Sequence, residues 1–311
     1  MKASAPGKII LFGEHAVVYN RPALAVPVTQ VHVNVEVLDS PRKGIWINAP
    51  GIDLHAELNS LPADHPIGSV ILKLFQLSGF SSSEIGSGGL EISISSTIPV
   101  AAGLGSGAAV SVALVRALAL HLAYPFTNEQ VNDLVFEIEK LHHGTPSGID
   151  NTVITYEKPV YFIKDKPIET FKVGKPFTIV IGDTGIHAPT KESVGDVRRL
   201  RMHDQHTIED IFNEIAQIVL IGRRSIESGK PEQLGELMDQ NHAYLQALTV
   251  SSPELDNLVE TARSAGALGA KLSGSGRGGN MIALVEQAKA ESVAGALMSA
   301  GAKRTIITEV K

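Results

Sequence analysis

Four clusters in this 311-residue chain combine residue types that could do chemistry. The first is Pro99-Val100-Ala101-Ala102-Gly103-Leu104-Gly105-Ser106-Gly107-Ala108-Ala109. Glycines let a backbone approach a ligand closely, and the first N–H groups of a helix have no carbonyl behind them. A glycine-rich turn that opens a helix is therefore a candidate phosphate cradle. The plain alternative is a strand–helix turn with no ligand. The turn lacks the G-x-x-x-x-G-K-[ST] pattern of a Walker loop. Gly103, Gly105 and Ala108 match a dinucleotide fingerprint loosely, but that fingerprint needs a second parallel strand, and here one helix leads into another. Gly274, Gly276 and Gly279 match it loosely too, ahead of a strand instead of a helix.

The second cluster is Glu139 with His142-His143-Gly144-Thr145-Pro146-Ser147-Gly148-Ile149-Asp150-Asn151. Two carboxylates separated by a turn can converge, one on a metal and one as a base. The alternatives are a helix-surface glutamate and an Asn/Asp turn. Adjacent histidines point apart, so His142 and His143 make a poor zinc pair. The third cluster is Ala5-Pro6-Gly7-Lys8 with Gly13-Glu14-His15. A lysine opening an apolar strand points to a charge aimed into a site, since lysine is seldom buried unpaired; an edge lysine is the alternative. The fourth, Lys271-Leu272-Ser273-Gly274-Ser275-Gly276-Arg277-Gly278-Gly279, is a flexible glycine loop or a tight turn. No HExxH occurs, and Ser106, Ser147 and Ser275 lie outside any G-x-S-x-G elbow.

These residues need elements to hold them. Lys8–Phe12 reads as a strand. Val31, Val33, Val35 and Val37 alternate with polar neighbours, as do Leu90, Ile92 and Ile94, which is the period of half-buried strands. Pro99 ends the second of these, and Ala108–Leu122 has helical length and composition. Thr127 with Gln130 forms a capping box for a helix to about Leu141. Val153–Tyr156 and Val160–Ile163 read as a hairpin. Further on, Thr178–Ile181 reads as a strand, followed by helices at Thr190–Arg201, Ile208–Ser228, Pro231–Ala247 and Pro253–Ala265. Strands at Lys271–Leu272, Met281–Val285 and Thr305–Glu309 flank a helix at Ala288–Ala300. The polar stretch Lys164–Pro176 is the best linker, so two α+β domains are expected, 1–168 and 169–311.

Composition narrows the function. Hydrophobic residues make up 43% and charged residues 19%, which excludes a disordered chain. The net charge of −6 argues against a broad basic surface for nucleic acid. The absence of cysteine excludes disulfides, zinc–thiolate sites, iron–sulfur clusters and thiol nucleophiles. The longest apolar stretch, Ala101–Ala123, is broken by Gly103, Gly105, Ser106, Gly107, Ser111 and Arg116, so no membrane span is expected. No secretory pattern is visible near Met1, and the cytoplasm is the expected location. The expected partner is a small molecule, with a homodimer kept open.

No single cluster decides the function, but their order does. Ala5…Lys8 with Gly13…His15, then Pro99…Ala109, then Lys271…Gly279 resemble the three motifs of the GHMP small-molecule kinases, from residue 5 to about 280. Within that superfamily, His143–Asn151 and Ile181-Gly182-Asp183-Thr184-Gly185 look most like the branch that phosphorylates mevalonate. The resemblance implies a two-lobed α+β fold, with an N-terminal lobe like ribosomal protein S5 domain 2 and a ferredoxin-like C-terminal lobe. It implies ATP and Mg²⁺, with Pro99–Ala109 around the ATP phosphates. Asp150 would be the base on the 5-hydroxyl of mevalonate, and Lys8 would stabilise negative charge there. Glu139, with Ser106, would ligate Mg²⁺, and Glu14, His15, Ser147 and Thr184 would line the mevalonate side. Gly276–Gly279 would support the site. The chain departs from the pattern at Gly107, where a second serine is usual, and at Arg277 and Asn280, where glycine and a small residue are common. The rivals are a kinase of phosphomevalonate, a sugar or homoserine, and a nonenzymatic nucleotide-binding relative.

Overall fold

The computed structural model describes residues 1–80, 88–99, 103–143, 146–167, 169–187 and 189–311. Its backbone forms two compact units. One contains Met1–Gly7, Val31–Val100 and Gly105–Glu157; the other contains Lys8–Gln30, Ala101–Leu104 and Lys158–Lys311. The division is discontinuous, unlike a single cut after residue 168. The strands β1 (Lys2–Phe12) and β2 (Ala23–Ser40) contribute residues to both units.

In the first unit, β3 (Gly44–Ala49) runs parallel to β5 (Gly89–Ser96) and antiparallel to β4 (Leu54–Glu57). The later half of β2 pairs antiparallel with β5, from Val33 opposite Ser96 to Ser40 opposite Gly89. The alternation expected there is seen: Val31, Val33, Val35 and Val37 are buried. Helices α1 (Pro66–Ser78), α2 (Ser106–His121), α3 (Asn128–His143) and α4 (Ile149–Tyr156) pack together. Ala108, Val112, Leu114, Val115 and Leu118 of α2 are all buried, so most of this helix's surface is apolar and packed, as befits a central helix.

Two expectations change here. Val153–Tyr156 is the end of α4, not a strand of a hairpin. Its β-branched residues favour a strand locally. The local start signals win: Gly148 caps the helix in a left-handed conformation, and the Thr152 hydroxyl donates to the Gly148 carbonyl at 2.6 Å. Arg116 of α2 then holds the other end, donating to the Thr155 carbonyl and to the Glu157 carboxylate, each at 2.6 Å. The expected linker also contains structure: β7 (Glu169–Thr170) pairs with β6 (Val160–Phe162).

In the second unit, β6 pairs with the first residues of β2. A separate antiparallel sheet holds β8 (Phe177–Asp183), β9 (Gly269–Ser273), β10 (Asn280–Val285) and β11 (Arg304–Val310) in the order β11-β8-β10-β9. Helices α5 (Thr190–His203), α6 (Gln205–Glu227), α7 (Leu234–Ala247) and α8 (Pro253–Ser264) lie between β8 and β9, and α9 (Ala290–Ser299) between β10 and β11. Taken from β8, the strand order is 4-1-3-2 in a βαββαβ chain, the ferredoxin-like arrangement. Leu272, Met281 and Ala283 of the sheet share a core with Phe212, Leu245, Leu258 and Leu297 of the helices.

Candidate functional site

The start of α2 has the geometry of a helix N-terminus opened by a glycine, the kind that can receive an anion. Gly105 caps it at φ 73°, a conformation costly for any residue with a Cβ, and the Ala109 N–H makes an early helical bond to the Gly105 carbonyl at 2.9 Å. The N–H groups ahead of Ala109 have no carbonyl of their own helix to bond. Just before it, Leu104 is buried and its carbonyl accepts the Lys8 N–H at 3.0 Å, which ties the turn to β1. Val100, Ala101 and Ala102 lie outside the described residues.

Glu139 reaches this helix start. A Cβ added at Gly107 would lie 3.7 Å from Glu139 Oε1. The sequence gap of 32 residues is closed by α3, which begins with the expected capping box: Gln130 N–H donates to Thr127 Oγ1 at 3.2 Å, and Thr127 N–H to Gln130 Oε1 at 2.9 Å. Seven residues before Glu139, on the same face of α3, Asn132 accepts the Asn151 amide at 2.8 Å in a buried contact. One helix thereby positions Glu139 and anchors the start of α4. Asp150 stands half-buried in the first turn of α4, where a carboxylate favours the helix. Ser147 accepts the Ile149 N–H at 3.4 Å. Residues 144 and 145 lie outside the described residues.

The other expected residues fall in the second unit. Lys8 is buried in β1, only 5% exposed. Glu14 and His15 follow β1 and are buried as well. The Glu14 carboxylate forms an ion pair with Lys271 of β9, and both side chains are inaccessible to solvent. Lys271 also donates to the Leu272 carbonyl at 2.5 Å. Burial pushes the Lys271 ammonium down and Glu14 pulls it back. His15 Nε2 bonds the Ser275 carbonyl at 3.1 Å, so Nε2 carries the proton and Nδ1 the lone pair. Thr184 donates both its N–H and its hydroxyl to the Gly279 carbonyl, at 2.9 and 3.0 Å.

The departures have a structural account. A Cβ at Gly276 would lie 1.9 Å from the Val250 carbonyl oxygen, so this glycine is obligatory, and the Arg277 N–H donates to that same oxygen at 2.8 Å. Arg277 accepts a left-handed φ of 58° and pairs with Asp196 of α5. Asn280 opens β10 beside the glycine turn that precedes α2: its Nδ2 would lie 3.5 Å from a Cβ at Gly103. At Gly107 the backbone is helical and has room for a side chain.

Two buried histidines give a pH dependence. Burial, with Arg277 nearby, pushes His15 down to about 4; burial does the same to His242 of α7. The unfolded chain binds protons at both near 6.5, so stability is full above that pH and declines as pH falls toward 4. Each removes roughly 3 kcal/mol of stability by the acid end of that window. A melting series from pH 7.5 to 4 should fall steeply, and His242→Gln should shallow the slope. A flat series would overturn the assignment.

Residues 67–158 match the family model "GHMP kinases N terminal domain", and residues 223–303 match "GHMP kinases C terminal". A mevalonate kinase of Thermococcus gammatolerans is 36% identical over 99% of this chain and 95% of its own length. The crystal structure of L. major mevalonate kinase in complex with R-mevalonate is similar at TM-score 0.87 and 27% identity, over 100% of this chain and 96% of that one. That of Methanococcus jannaschii mevalonate kinase is similar at TM-score 0.85 and 25% identity, over 99% and 97%.

Proposed function

Because the chain belongs to the GHMP kinase family, we propose that it transfers the γ-phosphoryl group of ATP to the 5-hydroxyl of (R)-mevalonate. The observation that carries the substrate is the end-to-end likeness to mevalonate kinases, one of them solved with R-mevalonate. Phosphoryl transfer is mostly positioning and charge neutralisation, and the residues supply the parts. The start of α2 faces the phosphates. Asp150 takes the hydroxyl proton as the substrate oxygen bonds to the γ-phosphorus and the bond to the ADP oxygen breaks. The Lys8 ammonium stabilises negative charge on the attacking oxygen. Ser147, Thr184, Glu14 and His15 orient the acceptor.

The donor set fits Mg²⁺. Among the described residues no group of three or more His, Asp or Glu could hold a metal alone. Mg²⁺ ordinarily needs only one or two protein carboxylates and takes its other ligands from phosphates and water. The carboxylate of Glu139 beside Gly107 matches that demand, and the hydroxyl of Ser106, one residue before Gly107, would be a neutral ligand. Bound there, Mg²⁺ would neutralise phosphate charge. None of the described helices is long and apolar enough to cross a membrane.

An ADP-release assay over a panel of alcohols tests the reading. Mevalonate should be turned over, and phosphomevalonate, galactose and homoserine should not. Turnover of one of those in place of mevalonate would overturn the substrate; inactivity on all would leave a nucleotide-binding relative.

A further inference from the structure

The pair formed by Glu14 and Lys271 joins residues 257 positions apart and has only one of its two carboxylate oxygens engaged. Glu14 Oε2 is buried and has no hydrogen-bond partner among the described residues. A buried carboxylate oxygen left unpaired is costly, and such an atom marks a place where a donor belongs. Its surroundings are fixed with unusual density. Lys271 and Ser273 lie on one face of β9. Lys271 holds Glu14, Ser273 Oγ donates to the Ile10 carbonyl at 2.8 Å, and the Ser275 carbonyl accepts from His15 at 3.1 Å. Three residues of the C-terminal motif thus hold the segment 10–15.

We propose that Lys271 is a positioning residue for the acceptor: by engaging Glu14 Oε1, it presents Glu14 Oε2 to a substrate hydroxyl. The proposal rests on the kinase reading and names one contact of its alcohol. The alcohol is recognised as a hydrogen-bond donor, because Glu14 Oε2 and His15 Nδ1 are both acceptors. Lys271 supplies the counter-charge that lets a carboxylate exist in this buried place.

The test is the pH profile of acceptor KM from pH 6 to 9 for the wild type, Lys271→Met, Glu14→Gln and the double variant. The charged and titratable groups around the pair are His15 and Arg277 on its own side, and His242, Asp256 and Arg263 behind β9. His15 and His242 titrate at about 4, below this range. In Lys271→Met, Glu14 is buried without a counter-charge, so its carboxyl takes up a proton and regains its charge only as pH rises. The acceptor KM should therefore rise about tenfold or more at pH 6 and recover toward pH 9, with the ATP KM within about twofold of wild type. The double variant should lose that slope. A Lys271→Met acceptor KM matching wild type throughout, an equal rise for ATP, or a slope that persists in the double variant would overturn the proposal. Should Lys271→Met not fold, Glu14→Gln decides: its acceptor KM should rise about tenfold without the slope, and an unchanged KM overturns the proposal. If the wild type prefers another alcohol to mevalonate, the same profiles taken with that alcohol judge Lys271 separately from the substrate.

Discussion

Replacing Asp150 with asparagine should lower kcat by about 10²–10⁴, the usual worth of a general base, while ATP still binds. The expectation follows from the place of Asp150 in α4. The helix is held by its Gly148 cap, by the Asn151–Asn132 contact and by Arg116 at its other end, and none of these uses the Asp150 carboxylate. The variant should therefore keep α4, and a melting curve checks that it folds before its turnover is compared with the wild type. Asparagine keeps the shape but cannot take the hydroxyl proton. Lys8→Met should also lower kcat if, as proposed, its ammonium stabilises the oxygen from which that proton leaves. The two act on one step, so the double variant should lose less than the product of the single losses. Near-wild-type turnover in a folded Asp150→Asn protein would remove the base assignment and leave Lys8 and positioning to carry the reaction.

Which of these residues the sequence reveals depends on the range of the interaction. Short-range signals are legible: the alternating valines of β2, the Thr127–Gln130 box and the glycine turn before α2 each act within a few residues. The stretch Val153–Tyr156 misleads because its β-branched residues favour a strand, while the signal that decides it, the Gly148 start, lies five residues upstream. Helix α1 goes unread although Ile67, Val70, Ile71, Leu74 and Phe75 have helical spacing behind Pro66. Strands β3 and β4 are short; among the described residues β4 pairs only with β3, and β3 is placed in the sheet by β5, more than 40 positions downstream of its start. Lys271 is the most instructive omission. The sequence reading takes it only as the opening of a glycine loop. Yet the reasoning that singles out Lys8, a lysine in an apolar strand, applies equally to Lys271, set between Ala270 and Leu272. What sequence cannot supply is its partner: nothing local links it to Glu14, and only the antiparallel packing of β9 in the finished unit brings them together.

Replacing Glu139 with glutamine should lower kcat on the order of 10²-fold at a fixed, subsaturating Mg²⁺ concentration and shift half-activity to higher Mg²⁺. A hard divalent cation prefers a charged oxygen, and the neutral amide removes the carboxylate that lies beside Gly107 at the start of α2. Raising Mg²⁺ should recover part of the loss. Direct titration of Mg²⁺ in the presence of a nonhydrolysable ATP analogue provides a readout independent of turnover, and an unchanged affinity would assign Glu139 to the helix surface. Gly107→Ser probes the same place from the opposite side. Two outcomes are open to a glycine-to-serine change at a ligand loop: strain, if the backbone is left-handed, or a gained ligand, if it is helical. Here the backbone is helical, and the added Cβ meets Glu139 Oε1 at 3.7 Å, an ordinary contact. The substitution should therefore raise stability slightly, by about 0.5 kcal/mol from helix propensity, and its hydroxyl should lower the Mg²⁺ concentration needed for half-activity. In Glu139→Gln the serine should restore less, because a hydroxyl oxygen does not replace a charge. A destabilised Gly107→Ser protein, or one with weaker Mg²⁺ binding, would show that this position must stay empty for the nucleotide and that Glu139 approaches it for another reason.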